Sequence, residues 1–311
     1  MKTGVSKILA MLLVSSVLAL SACKKDEAAS SPKLETPASA AKKTDDPVEA
    51  VSSVLAKFKE NDLAGVAALA LPPAKLDELR TKWKEKSAKE PPSEEEKAEF
   101  AAQIAMFTAP DAEANLYAML EPQLAKYESE YAAQLPMFIG MGQGFAMQAI
   151  NENQELSESQ KKQAIDAISA LAGWAQSAKF GDRELAKKGI GIAVKTVRSL
   201  ELKTLDDVAA LEFDALLGKG GVMLGGIKQI LALYNFDIDA ALASAKPKLI
   251  SQDGDTAKVG LTYNFLGKEL SSESELVKVD GRWYGKEAMA DIFDSIAGGD
   301  DDSDESATFA D

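Results

Sequence analysis

The segment AKVGLTYNF, residues 257–265, alternates between apolar side chains and polar or small ones. This period of two is typical of a β-strand with one buried face. Asp253-Gly254 precedes the segment, and Asp280-Gly281 lies one strand length beyond it. Asp-Gly between such runs favours a tight hairpin turn. With residues 248–251 in front and Arg282-Trp283-Tyr284 behind, the sequence predicts an antiparallel meander of about four strands.

The chain before the meander has the pattern of helices. Asp46-Pro47 is an N-cap followed by proline at the first helical position, and Ser93 with Glu96 forms a capping box. We therefore predict an α+β fold, with a predominantly helical region over residues 47–245 and a meander packed on the helices over residues 246–297. A short helix is predicted from Glu287 to Ile296. Pro122 and Pro136 are expected to kink or split a long helical stretch.

Two segments are rich in glycine. Residues 140–144 place a GxxxG spacing inside the uncharged run 135–150, which predicts a buried helix with close neighbours. The alternative is a helix that touches a membrane or a partner. Met137, Met141 and Met147 on this segment are interpreted as core filler, because a copper site has no His or free Cys to support it. Gly218-Lys219-Gly220-Gly221 lacks the phosphate-loop pattern and predicts the end of a helix and a turn.

The N-terminus has the pattern of an export signal. Lys2 and Lys7 precede an apolar run over residues 8–20, which is too short to span a membrane. Leu20-Ser21-Ala22-Cys23 resembles the lipobox of bacterial lipoproteins. The resemblance implies cleavage of residues 1–22, acylation of Cys23 with palmitate or a similar chain, and an outer-membrane position facing the periplasm, because Lys24 rather than Asp follows the cysteine. The alternative is a plain secretory peptide with a free thiol.

Both ends of the predicted mature chain differ in composition from its centre. Residues 23–46 contain one large apolar side chain, Leu34, among Ala, Ser, Pro, Lys and acids, which predicts a disordered tether below the lipidated cysteine. A flexible tether of this length reaches roughly 25–30 Å on average. Residues 298–311 carry acids and no basic residue, which predicts a disordered acidic tail.

Charge and composition exclude several functions. The chain has 35 basic and 49 acidic side chains and a net charge of −14, and loss of Lys2 and Lys7 with the signal would make it two units more negative. Such a surface repels phosphates, so no nucleic-acid partner is expected. Histidine is absent and Cys23 is the only cysteine, so Ser-His-Asp and Cys-His catalysis and His/Cys zinc sites are excluded. We predict no catalytic residue, no metal site and no cofactor.

Residues 253–259 and 276–284 resemble the C-terminal strands of NTF2-like domains found in bacterial envelope lipoproteins, and the first predicted helix, residues 51–61, suits the start of that fold. The resemblance implies a curved sheet whose helices close a cone-shaped pocket. It implies no single activity, since that fold hosts enzymes, binding proteins and oligomerisation modules. The residues expected to line such a pocket are Tyr263, Phe265, Trp283 and Tyr284.

Three functions follow from these patterns. The first is a lipid-anchored, non-enzymatic module that binds a protein or another component of the cell envelope, attached to the membrane through Cys23. The second is a small-ligand binder with an NTF2-like cavity. The third is a carboxylate-dependent hydrolase using Glu269, Glu273 and Glu275, which alternate on one strand face, although such a face is more often only solvated.

Overall fold

The structure is a computed structural model that describes residues 45–89, 91–154 and 156–286. The predicted signal peptide, Cys23, residues 24–44 of the predicted tether, the predicted helix from Glu287 to Ile296 and the predicted acidic tail lie outside the described residues. The predicted tether extends too far at its C-terminal end, because Asp45 pairs with Lys278 and Asp46 caps α1. The described chain forms, in order, α1 (Pro47–Lys59), α2 (Leu63–Ala70), α3 (Pro73–Lys89), α4 (Glu94–Thr108), α5 (Ala112–Lys126), a π-helical turn (Tyr127–Tyr131), α6 (Leu135–Glu152), α7 (Glu158–Ser177), α8 (Arg183–Leu200), α9 (Leu205–Ala209), α10 (Phe213–Leu233), α11 (Ile238–Ala243), β1 (Lys246–Asp253), β2 (Thr256–Phe265), β3 (Lys268–Val279) and β4 (Arg282–Gly285).

The predicted α+β class is confirmed. A predominantly helical body precedes a four-stranded antiparallel sheet of order β1-β2-β3-β4. The β2–β3 register pairs Thr256 with Val277 and Phe265 with Lys268. The β3–β4 turn is the predicted Asp280-Gly281, with φ of 51° and 78°, and both central residues of a type I′ hairpin turn need such positive values.

One face of the sheet packs on α1. Ala257, Val259, Leu276 and Trp283 form a buried cluster there, with Val48, Ala50 and Val51 of α1 half-buried against it. The indole N–H of Trp283 donates to the carbonyl oxygen of Asp45 at 3.0 Å, which fixes the start of α1 on the sheet. The alternation of the sequence thus corresponds to an observed apolar face.

The helical body is organised around α8 and α10, which pack against each other. Helix α10 also contacts α2, α3 and α11. Within the described ranges it is the one helix long and apolar enough to cross a bilayer by length and composition. Its contacts with four helices place it in the body of the fold, and buried residues such as Phe213 and Leu224 lie along it.

Two predictions about glycine segments are wrong. Helix α10 continues without a break through Gly218–Gly221, where the sequence predicted a helix end. Helix α6 contains the GxxxG spacing but has no buried residue, so it is not the buried helix that was predicted, and Met137 and Met141 are exposed rather than core filler. In α10, tertiary packing offsets the cost of glycine in a helix, which is about 1 kcal/mol per residue relative to alanine.

The two prolines have different effects. Helix α5 continues through Pro122 and passes into the π-helical turn at Tyr127. Pro136 is the second residue of α6, so the chain is split just before it, as predicted.

Candidate functional site

The glycines of α10 allow two other segments to approach its backbone closely. A Cβ on Gly221 would overlap the carbonyl oxygen of Asn61, and a Cβ on Gly226 would overlap the side chain of Thr196 on α8. A Cβ on Gly225 would lie 3.1 Å from the amide nitrogen of Asn61. The α1–α2 turn therefore sits directly on α10, at a separation that side chains would prevent.

Asn61 and Asp62 define the conformation of that turn. Asn61 has φ of 60°, in the left-handed region that asparagine tolerates better than most residues. Asp62 caps α2 by accepting from the backbone N–H of Gly65 at 2.8 Å, and it pairs with Lys57 at 3.0 Å. The hydrogen bond from the Gly65 N–H is the main cause that lowers the pKa of Asp62 below its ordinary value, and the contact with Lys57 is the second.

Lys228 of α10 holds the α1–α2 turn in place. Its side chain is 3% exposed, and its ammonium donates to the carbonyl oxygens of Phe58 at 2.7 Å and Lys59 at 3.4 Å. The same group pairs with Asp239 of α11 at 2.8 Å. The last carbonyls of a helix lack partners within the helix, so this buried cation caps α1 and ties it to α10 and α11.

A cavity of about 350 Å³ lies beside these contacts and opens to solvent. This volume is at the lower end of the range found for small-molecule sites. The cavity lies between the α1–α2 turn, α8 and α10, and its lining residues are Glu60, Asn61, Ile192, Lys195, Thr196, Ser199, Gly218, Gly221, Val222, Gly225, Gly226 and Gln229.

The polar groups of the cavity fall into two sets. Ser199 donates to the carbonyl oxygen of Thr196 at 2.7 Å, Gln229 donates to that of Gly225 at 3.1 Å, and Glu60 is paired with Lys57 at 2.9 Å.

The second set has no partner among the described residues. Asn61 Oδ1 is buried and accepts no hydrogen bond from them, and the exposed Lys195 forms no ion pair with them. Almost none of the surface of Asn61 Oδ1 is accessible to water, so a ligand in the cavity could reach this atom only if the turn moved. The cavity therefore offers one accessible cation, Lys195, which suits a ligand with an anionic group.

The four residues predicted to line a pocket are not brought together around one cavity. Trp283 belongs to the buried cluster against α1, while Phe265 lies at the other end of β2 with its ring 5.6 Å from that of Phe236. Tyr263 shares the face of Phe265, and burial raises the pKa of its hydroxyl. Tyr284 is buried too, and it lines a small pocket of about 20 Å³ together with Trp283 and residues of α1 and α2. Core packing accounts for Trp283 and Phe265.

The three strand glutamates lie in solvent on the outer face. Glu269, Glu273 and Glu275 are all exposed. Glu273 pairs with Lys258 at 3.2 Å, and Glu275 pairs with Lys286 at 3.4 Å. They line no cleft, so the arrangement that the hydrolase alternative requires is not formed there. No group of three or more acidic, His or Cys residues that could hold a metal occurs in the described ranges.

Comparisons of the chain with family models, with curated proteins and with solved structures give no match. The lipobox and the likeness to NTF2-like domains therefore stay predictions. Sequence reasoning missed the cavity. The available signal was the spacing of Gly218, Gly221 and Gly225, which places all three on one face of a helix if the helix is allowed to continue.

Proposed function

We propose that this chain is a lipid-anchored protein of the bacterial cell envelope that acts by binding, without a catalytic step, and that the cavity beside α10 receives its ligand. The observation that carries the ligand site is the open cavity of about 350 Å³ between the α1–α2 turn, α8 and α10, with the exposed cation Lys195 among its lining residues. The anchor rests on Leu20-Ser21-Ala22-Cys23.

The chemistry of the cavity defines the class of ligand. The ammonium of Lys195 would attract a carboxylate or a phosphate. A small organic acid or a phosphate ester carries such a group.

Native mass spectrometry tests the ligand site. Protein extracted gently from bacterial envelopes should carry a small molecule that is lost in the variants Gly218→Phe and Lys195→Met. A Cβ on Gly218 meets nothing within 4 Å, so the phenyl ring can occupy the cavity without a clash at its base. Lys195→Met keeps the aliphatic stem and removes the cation.

Lys188→Met is the matched control, because Lys188 is exposed on the same helix two turns earlier and does not line the cavity. It should keep the bound molecule. Equal ligand occupancy in all three variants, or no bound molecule in the unaltered protein, would contradict the proposal.

A further inference from the structure

Helix α6 has two apolar sides, of which the fold covers one. Its inner side packs on α7, and Gln143 donates to Ser169 of α7 at 3.3 Å. Leu135, Ile139 and Ile150 lie on this side and are half-buried. Their spacing by four and eleven residues is that of one helical face.

The outer side presents large apolar side chains to solvent. The exposed fractions are 55% for Met137, 46% for Phe138, 49% for Met141 and 72% for Phe145. Spacings of one, four and eight residues place these four on one stripe, which we call the outer face of α6. Gly140, Gly142 and Gly144 flank this stripe, and a Cβ on any of them would meet nothing within 4 Å, so the borders of the face are open as well.

The area of the outer face is that of a contact site. At roughly 200 Å² for each large side chain, half-exposed on average, the four residues present about 400 Å² of apolar surface. That equals the largest patch on a typical soluble monomer, and such a patch usually marks a contact site. A helix that is apolar all round is normally covered on every side.

We propose that the outer face of α6 docks on the surface of the lipid bilayer, as a second contact beside the acyl chains of Cys23. The inference rests on the lipid anchor of the proposed function. A chain held by a short tether is confined close to the bilayer, so its free apolar surface meets lipid far more often than it meets any dilute partner.

The distances allow both contacts at once. Asp45 pairs with Lys278 near the end of β3, while α7 meets the start of β3 through Asp166 and Lys268, 3.7 Å apart. The ten residues between those points span about 34 Å, and α6 lies one helix spacing of about 10 Å beyond α7. The roughly 22 residues from Cys23 to Asp45 have a maximum reach of about 75 Å, which exceeds the sum of about 45 Å.

A second copy of the chain fits the outer face less well. Two such faces together would bury about 800 Å², below the roughly 1,200 Å² of stable dimers. Each chain also carries a net charge of −14, which opposes self-association.

The absence of charge in α6 predicts how the docking depends on lipid type. Residues 135–151 contain no Lys or Arg, the residues with which surface helices commonly bind anionic lipid. Binding should therefore be at least as strong on zwitterionic vesicles as on anionic ones, because the negative chain is repelled by the latter.

The first test uses the chain from residue 24 onward, which has no acyl group, and vesicles of phosphatidylcholine. We expect it to float with the vesicles. Phe145→Asp should lower the ratio of bound to free protein at least about tenfold, since burial of one phenyl group corresponds to a factor of ten or more. Ile250→Asp, at a side chain 51% exposed on β1, is the matched control and should bind unchanged. Equal binding of both variants, or no flotation of the unaltered chain, overturns the proposal.

The second test does not depend on an added charge. Residues 24–311 contain no cysteine, so Phe145→Cys and Ile250→Cys each accept a single nitroxide label. On addition of vesicles, the label at 145 should become shielded from a water-soluble relaxation agent, and the label at 250 should not. A label at 145 that stays accessible, or that becomes shielded in a dimer without vesicles, contradicts docking on lipid. The outcome is independent of Cys23, whose acylation is measured separately by peptide mass.

Discussion

Gly221→Ala tests the close packing of α10 against the α1–α2 turn, and Gly218→Ala is its matched control. Both changes remove a glycine from the same helix and should gain up to about 1 kcal/mol from helix propensity. The added methyl group on residue 221 overlaps the carbonyl oxygen of Asn61, whereas on residue 218 it meets nothing within 4 Å. The two variants should therefore change stability in opposite directions.

The loss of stability in Gly221→Ala follows from the atoms that the new methyl group displaces. Backbone atoms have no alternative rotamer, so the turn shifts as a unit and strains the bonds of Lys228 to the carbonyls of Phe58 and Lys59. Overpacking costs about 1–3 kcal/mol, and we take about 3 kcal/mol because the clash is with backbone. After the gain in propensity, Gly221→Ala should destabilise the fold by about 2 kcal/mol, while Gly218→Ala should stabilise it by about 0.5–1 kcal/mol.

Urea unfolding followed by circular dichroism measures this difference. With a slope near 3 kcal/mol per molar, the midpoint should fall by about 0.7 M for Gly221→Ala and rise by about 0.2–0.3 M for Gly218→Ala, at unchanged slope. Equal shifts of the two midpoints would refute the claim that the turn lies against α10 at Gly221.

Three further changes test other contacts. Lys228→Met should cost about 2–3 kcal/mol in urea unfolding, because two carbonyls at the end of α1 and Asp239 lose their buried donor; a neutral result would refute the cap. Asp62→Ala should cost about 1 kcal/mol at pH 7. The pKa of Asp62 is lowered in the folded state, so its contribution to the free energy of unfolding is present above the unfolded pKa near 3.9 and is lost as the pH falls through the folded pKa. A difference in stability between variant and parent that does not change with pH would count against this role. Trp283→Phe removes the N–H bond to Asp45 and part of the core, and should cost about 1–2 kcal/mol; an unchanged melting temperature would exclude that role.

The sheet was predictable because its signals are local. Alternation over residues 257–265 and the Asp280-Gly281 turn each depend on neighbours within the same hairpin, and the structure has both where the sequence indicates them. The capping box of Ser93 with Glu96 is present for the same reason.

The glycine segments were not predictable from local rules. Glycine at 218–221 favours a helix end by propensity, but contacts with Asn61 and Thr196, distant in sequence, favour a continuous helix with a bare face. The cavity depends on the same long-range contacts. Local sequence identifies α6 as apolar and cannot say whether a neighbour covers it, so a buried helix was expected where an exposed one exists.

The same limit applies to the predicted pocket residues. Aromatic side chains at alternate positions of a strand mark an apolar face, and only the fold decides whether that face is filled. Here α1 fills it at Trp283, and Phe236 meets it at Phe265.

The most direct test of a membrane-held binding protein is the mass of its N-terminal peptide after extraction from bacterial membranes. A lipid-anchored chain should begin at Cys23 and carry acyl groups on that residue. An unmodified Cys23 peptide, recovered from soluble protein, would contradict the lipid anchor.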